Sequence, residues 1–173
     1  MRVLDKRIRM RIALACAITA LVMHPAAAKA GATEVYEQLK SLAGEWETEL
    51  PGFGKMISTV RLVSNGKAIE EIIGTPKDNE LSVYTLNADK ILLTHYCAMT
   101  ADGHQIRLQT RRLGSAADRI EFGFASATNL HSKAAAHMRR VIMTITDRDH
   151  YSEKWTKTEN GKDSEFDLNF VRR

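Results

Sequence analysis

The stretch KMISTVRLVSNGKAIEEIIG, residues 55–74, reads as two β-strands folded back on each other. Lys55–Ser64 and Lys67–Gly74 are rich in β-branched residues, and Asn65-Gly66 stands between them. Asn and Gly tolerate the positive φ angles of a tight turn, so this pair between two such runs is the strongest short-range hairpin signal. A hairpin makes its strands antiparallel. Working outward, the same arrangement repeats along the chain. Strand candidates run over Trp46–Leu50, Lys55–Ser64, Lys67–Gly74, Glu80–Asn87, Lys90–Ala98, His104–Leu113, Asp118–Ala125, His137–Thr146, His150–Thr158 and Ser164–Arg172. Turn residues join them: Thr75-Pro76-Lys77-Asp78, Asn87-Ala88-Asp89, Ala101-Asp102-Gly103 and Asn160-Gly161.

The alternation within these strands identifies an inner face. Ile106, Leu108 and Thr110 oppose Arg107, Gln109 and Arg111. Ile120, Phe122 and Phe124 oppose Glu121 and Gly123. Val141, Met143 and Ile145 continue the set, as do Phe166, Leu168 and Phe170 against Glu165, Asp167 and Asn169. One dry face and one wet face belong to an antiparallel sheet around a single interior. Closure of that sheet removes the exposed edges so many strands would otherwise leave. The expected fold is all-β: a closed antiparallel up-and-down barrel of about ten strands with a short N-terminal helix. That helix is expected from a Thr33 cap through Leu42, with Val35, Tyr36, Leu39 and Leu42 on one face. Ser126–Ala136 is too long for a hairpin turn and is expected to form a lid, a plug or one helical turn at a barrel mouth.

Residues 1–30 are set apart from the barrel. Arg2, Lys6, Arg7, Arg9 and Arg11 precede an apolar run from Ile12 to Met23, and small residues follow His24-Pro25. This is the pattern of a secretory signal peptide, with cleavage expected after Ala28 or Ala30. The run is shorter than the roughly 20 apolar residues of a membrane-spanning helix. The domain division is therefore signal peptide 1–30 and one barrel domain 31–173, periplasmic or extracellular after cleavage. The formal charge of the whole chain is +4, but residues 1–30 hold six of its 25 Lys and Arg and one of its 21 Asp and Glu. The remainder carries 19 basic and 20 acidic residues, a net −1. The basic balance belongs to the export signal and is no argument for nucleic-acid binding. Arg111-Arg112, Arg139-Arg140 and Arg172-Arg173 form no basic stripe with interleaved aromatics either. Once Cys16 is removed, Cys97 is the single cysteine, so no internal disulfide can form.

Gly44-Glu45-Trp46 opening the first strand and Arg172 near the end of the last resemble the calycin pattern of lipocalins and fatty-acid-binding proteins. That resemblance implies that Trp46 closes one barrel end and that the late Arg packs across it. A longer series, Leu42–Trp46, Gly74-Thr75-Pro76, Leu92–Cys97, Thr128-Asn129-Leu130, His137-Met138 and Asp149-His150 through Trp155, is similar to a family of small secreted bacterial lipocalin-like barrels of unknown function. The family resemblance implies fold and export and brings no established activity. Its expected Gly, Asn, Gln and Pro-Arg after the Cys are replaced here by Met99–Gln105. Haem barrels of the nitrobindin type are a distant analogy, and their haem-ligating His matches no position.

The chemistry-bearing residues concentrate in Ile91–Cys97, where His95 and Cys97 share one strand face and Tyr96 takes the other. A nucleophilic Cys needs a base beside it and an exposed thiolate. Zinc needs about four donors, or three and a water. His95, Cys97, His104, His137 and His150 supply donor types without a metal-binding spacing. No cofactor is therefore expected, with haem or zinc the ones to consider. Glu70-Glu71 puts one carboxyl on each face of its strand, and Arg139 and Glu153 are in phase with the inward Val141 and Trp155. Such residues would form an interior polar cluster that orients a ligand's charged end; the competing account is an internal salt bridge or a rim position. The candidate ligand contacts are His95, Cys97, Tyr96, Glu71, Arg139 and His137. The expected function is binding of a small apolar or amphipathic, lipid-like ligand by a monomer or weak oligomer. The alternatives are an enzyme using His95 with Cys97 or Glu71, and an interaction protein with a filled barrel.

Overall fold

The computed structural model describes residues 31–75, 78–97, 104–113 and 119–173, and at 104 and 111–113 the backbone alone. The expected signal segment and both of its cleavage frames lie outside these residues. Helix α1 (Ala32–Lys40) precedes ten strands: β1 (Gly44–Leu50), β2 (Gly54–Val63), β3 (Ala68–Gly74), β4 (Asn79–Asn87), β5 (Lys90–Cys97), β6 (His104–Leu113), β7 (Arg119–Ala127), β8 (His137–Ile145), β9 (His150–Glu159) and β10 (Lys162–Arg172). Each strand pairs antiparallel with the next, and β10 returns to β1 through Trp46 opposite Arg172, closing the barrel.

The period-two reading holds in detail. Ile106, Leu108, Ile120, Phe122, Val141, Met143, Leu168 and Phe170 are all buried inside. On β5 the buried residues are Ile91, Leu93, His95 and Cys97, so that face looks inward, while Tyr96 stands outside. Two local expectations change. Thr33 does not cap α1: Gly31 occupies the N-cap without a side-chain bond, and the Gly31 carbonyl already accepts from Val35 N–H. The β2–β3 connection is a four-residue turn, Ser64–Lys67, in which Ser64, Asn65 and Gly66 all have positive φ. Two-residue hairpin loops occur instead at Ala88-Asp89, with Ala88 at positive φ, and at Asn160-Gly161, both in the left-handed region.

One end of the barrel is closed. Val35, Tyr36, Leu39 and Leu42 bury their side chains there, and the Tyr36 hydroxyl donates to the Tyr84 carbonyl at 3.4 Å. Trp46 Nε1 donates to the Leu42 carbonyl at 2.8 Å. The Arg172 guanidinium lies 4.0 Å from the Trp46 ring centroid and donates to the carbonyls of Ala43 and Ser41. A Cβ on Gly44, whose φ is +141°, would meet Arg172 Nη1 at 2.6 Å, so glycine there lets the guanidinium reach its seat. Above this plug, Trp46 and Tyr151 meet edge to face, and Tyr151 stacks on Phe170 at 4.2 Å.

The connection between β7 and β8 has no helical turn. Thr128 exchanges bonds with Gln105 on β6, and Gly161 N–H donates to the Ala134 carbonyl, which pins the segment to the β9–β10 hairpin.

Candidate ligand-binding site

The opposite end of the barrel holds a cavity of about 550 Å³. Its apolar wall comes from Leu50, Phe53, Met56, Ile73, Met138, Trp155, Phe166 and Leu168. Glu71, Ser82, His95 and Glu153 supply its polar side, and Thr75, Asp78 and Glu80 join them toward the β3–β4 turn. No Lys or Arg lines it among the described residues.

Strand register assembles the polar side. Glu71 on β3 pairs with Ser82 on β4, and Ser82 pairs with His95 on β5, so three polar side chains point inward in one cross-strand row. Glu71 is 3% exposed and accepts three hydrogen bonds: Ser58 Oγ and Tyr151 OH to Oε1 at 2.8 and 3.0 Å, Tyr84 OH to Oε2 at 2.9 Å. The donors come from β2, β4 and β9, which ties the barrel together across its interior. Burial first, and then the Glu71 charge, push both phenols well above the ordinary tyrosine value, so they remain hydrogen-bond donors.

Glu153, also 3% exposed, accepts from Trp155 Nε1 through Oε2 at 2.8 Å. Its Oε1 has no hydrogen-bond partner. Burial raises the Glu153 pKa well above the carboxyl range, and nearby Glu71 raises it further; the Trp155 bond opposes both. A protonated Glu153 offers one donor and one acceptor to whatever enters the cavity. His95, 2% exposed, holds Ser82 Oγ at 3.0 Å through Nδ1 and packs beside the Trp155 ring at 4.9 Å. Its Nε2 lies 3.4 Å from Glu80 Oε2 but makes no hydrogen bond of good geometry. Cys97 Sγ donates to Glu80 Oε1 at 3.5 Å.

Of the residues expected from sequence, the fold therefore brings Glu71, His95 and Cys97 to the interior. Three others stand elsewhere. Tyr96, 44% exposed, points out of the wall and accepts from Gln105 Nε2. Arg139 was in phase with Val141, but a bulge between Met138 and Arg140 inserts it as an extra residue. Met138 consequently reaches the cavity, and Arg139 pairs outside with Asp163. His137 is buried, holding the Ala135 carbonyl through Nδ1 and lying edge-on to Phe124, away from the cavity lining. Ser58, Ser82, Tyr84, Tyr151 and Glu80 are additions. The signal for the β4 members is their phase, since Glu80, Ser82 and Tyr84 alternate on one face.

Comparison with protein-family models and with curated proteins finds no match.

Proposed function

We propose that this protein is an exported binding module that takes one small amphipathic molecule into the open half of its barrel. The observation that carries the reading is the cavity itself: about 550 Å³, within the roughly 300–1,000 Å³ range of small-molecule sites, apolar-walled with a few convergent polar groups. Barrels of this kind hold a single ligand when their interior is not filled by side chains. The calycin-like seating of Arg172 on Trp46 and the signal-like residues 1–30 support the same reading.

The chemistry of the polar side narrows the ligand. Three glutamates, an aspartate and a histidine line the cavity, with no Lys or Arg among the described residues to receive an anion. A carboxylate head group would meet like charge in a desolvated site. A head group that donates hydrogen bonds, a hydroxyl or an amine, meets the acceptor oxygens of Glu71, while the protonated Glu153 can both donate and accept. The ligand class is therefore a neutral or cationic amphiphile with its apolar part against Met56, Phe166 and Leu168.

The thiol-enzyme alternative has less support. Cys97 is buried and its thiol donates to Glu80, whereas a nucleophilic cysteine needs an exposed thiolate. The test is mass spectrometry of organic extracts from protein freshly purified from the export compartment, beside a Met56→Trp variant that fills the cavity. A small molecule recovered from the native protein and lost from the variant is expected. Extracts equally empty, or equal amounts from both, would overturn the reading.

A further inference from the structure

The acidic edge of the cavity carries a second constellation. Glu80, His95 and Cys97 offer a carboxylate oxygen, an imidazole nitrogen and a sulfur whose atoms all lie within 4.8 Å of one another. We propose that these three side chains form a binding site for a borderline divalent cation, Zn²⁺ above all. The inference goes beyond the amphiphile reading and does not depend on it.

Three observations converge. First, the donor set is mixed nitrogen, sulfur and oxygen, which suits zinc and its neighbours and not calcium or magnesium. Second, the spacing fits. Donors about 2.0–2.3 Å from a tetrahedral ion stand roughly 3.3–3.6 Å apart. Glu80 Oε2 stands 3.4 Å from His95 Nε2 and its other oxygen, Oε1, 3.5 Å from Cys97 Sγ; with one donor atom from each residue the three lie within 4.8 Å of one another, so a small turn of the side chains closes the set around an ion. Third, the imidazole is oriented as a ligand. Ser82 Oγ sits 3.0 Å from Nδ1; when Nδ1–H donates to it, the Nε2 lone pair is left toward Glu80. That nitrogen is deeply buried and makes no hydrogen bond. A lone pair beside a carboxylate oxygen is relieved by a cation between them. A metal-ligating His is usually held by its far N–H on a carboxylate, a carbonyl or a water, and Ser82 Oγ stands in that place here.

On binding, the Cys97 thiol loses its proton to solvent, and the sulfur exchanges its hydrogen bond with Glu80 for a bond to the ion. Three protein donors leave a fourth position for water or for a donor atom of a molecule in the cavity, as in zinc sites that keep one position open. Glu80 and His95 both line that cavity.

Cobalt substitution tests the site. Co²⁺ added to the reduced, metal-free protein should give a near-ultraviolet thiolate-to-cobalt charge-transfer band, visible bands of tetrahedral intensity, and a one-to-one endpoint reversed by Zn²⁺. Cys97→Ser should abolish the charge-transfer band. Glu80→Gln, at a partly exposed position, should weaken Zn²⁺ binding about tenfold or more while the thermal melt of the metal-free protein stays put. Absence of the charge-transfer band, or Zn²⁺ affinity unchanged in both variants, would overturn the proposal. Titrating the metal-free protein with an alkyl amine reads the cavity separately, so the two proposals fail independently.

Discussion

At Glu153, burial and the neighbouring Glu71 both act against ionisation, and this has a consequence for stability. In the unfolded chain the carboxyl loses its proton near its ordinary value of about 4.3. The folded protein keeps that proton to a higher pH. Glu153 therefore contributes stability that is complete below the unfolded value and is lost as pH rises toward the folded one. The slope is at most about 1.4 kcal/mol per pH unit for one such group. Glu153→Gln keeps an acceptor for Trp155 Nε1 and removes the titration. Chemical denaturation from about pH 5 to about pH 8 should show native stability falling relative to the variant. Parallel curves would mean that Glu153 titrates as an exposed carboxyl does. Its inward position was legible, because it alternates with Tyr151 and Trp155 on one strand. Its coupling to Glu71 was not, since the two lie on strands 80 or so residues apart in sequence, joined only by barrel closure.

Among the elements, the sequence of β5 leaves a choice of two faces, and the barrel makes the choice: His95 and Cys97 inside, Tyr96 outside. β8 shows where strand pattern stops being informative. A bulge adds one residue without altering composition, so Arg139 looks inward in the sequence and stands outside in the fold. The closing unit, by contrast, is written in Gly44, Trp46 and Arg172. Gly44→Ala imposes a side chain at φ +141° and drives a Cβ into Arg172 Nη1. Arg172→Lys keeps the charge but cannot serve the carbonyls of Ser41, Ala43 and Arg148 together from above the Trp46 ring. Each substitution should cost about 1–3 kcal/mol in urea unfolding. Because the first acts partly by displacing the guanidinium, the double variant should cost less than the two singles combined. Strict additivity would show that Gly44 serves only its own backbone.

At the scale of the whole molecule, a closed ten-stranded sheet is divided into two halves of different character. The helix, Trp46, Tyr151 and Phe170 fill one half; the other is a cavity of about 550 Å³ with an acidic polar side. Closure was legible because ten short alternating runs would otherwise leave two exposed edges, which a barrel, unlike a sandwich, removes. The size and charge of the interior were not, since they depend on which in-phase residues are large and which carboxyls share one tier. The acidic lining makes head-group charge the sharpest discriminator. Paired calorimetric titrations of an alkyl amine and the fatty acid of equal chain length, on the native protein and on Met56→Trp, read it directly. The amine should bind one-to-one, at least about tenfold tighter than the acid, a difference of about 1.4 kcal/mol, and Met56→Trp should lose it. Tighter binding of the acid, or binding of neither, would contradict an acidic, open barrel that receives an amphiphile.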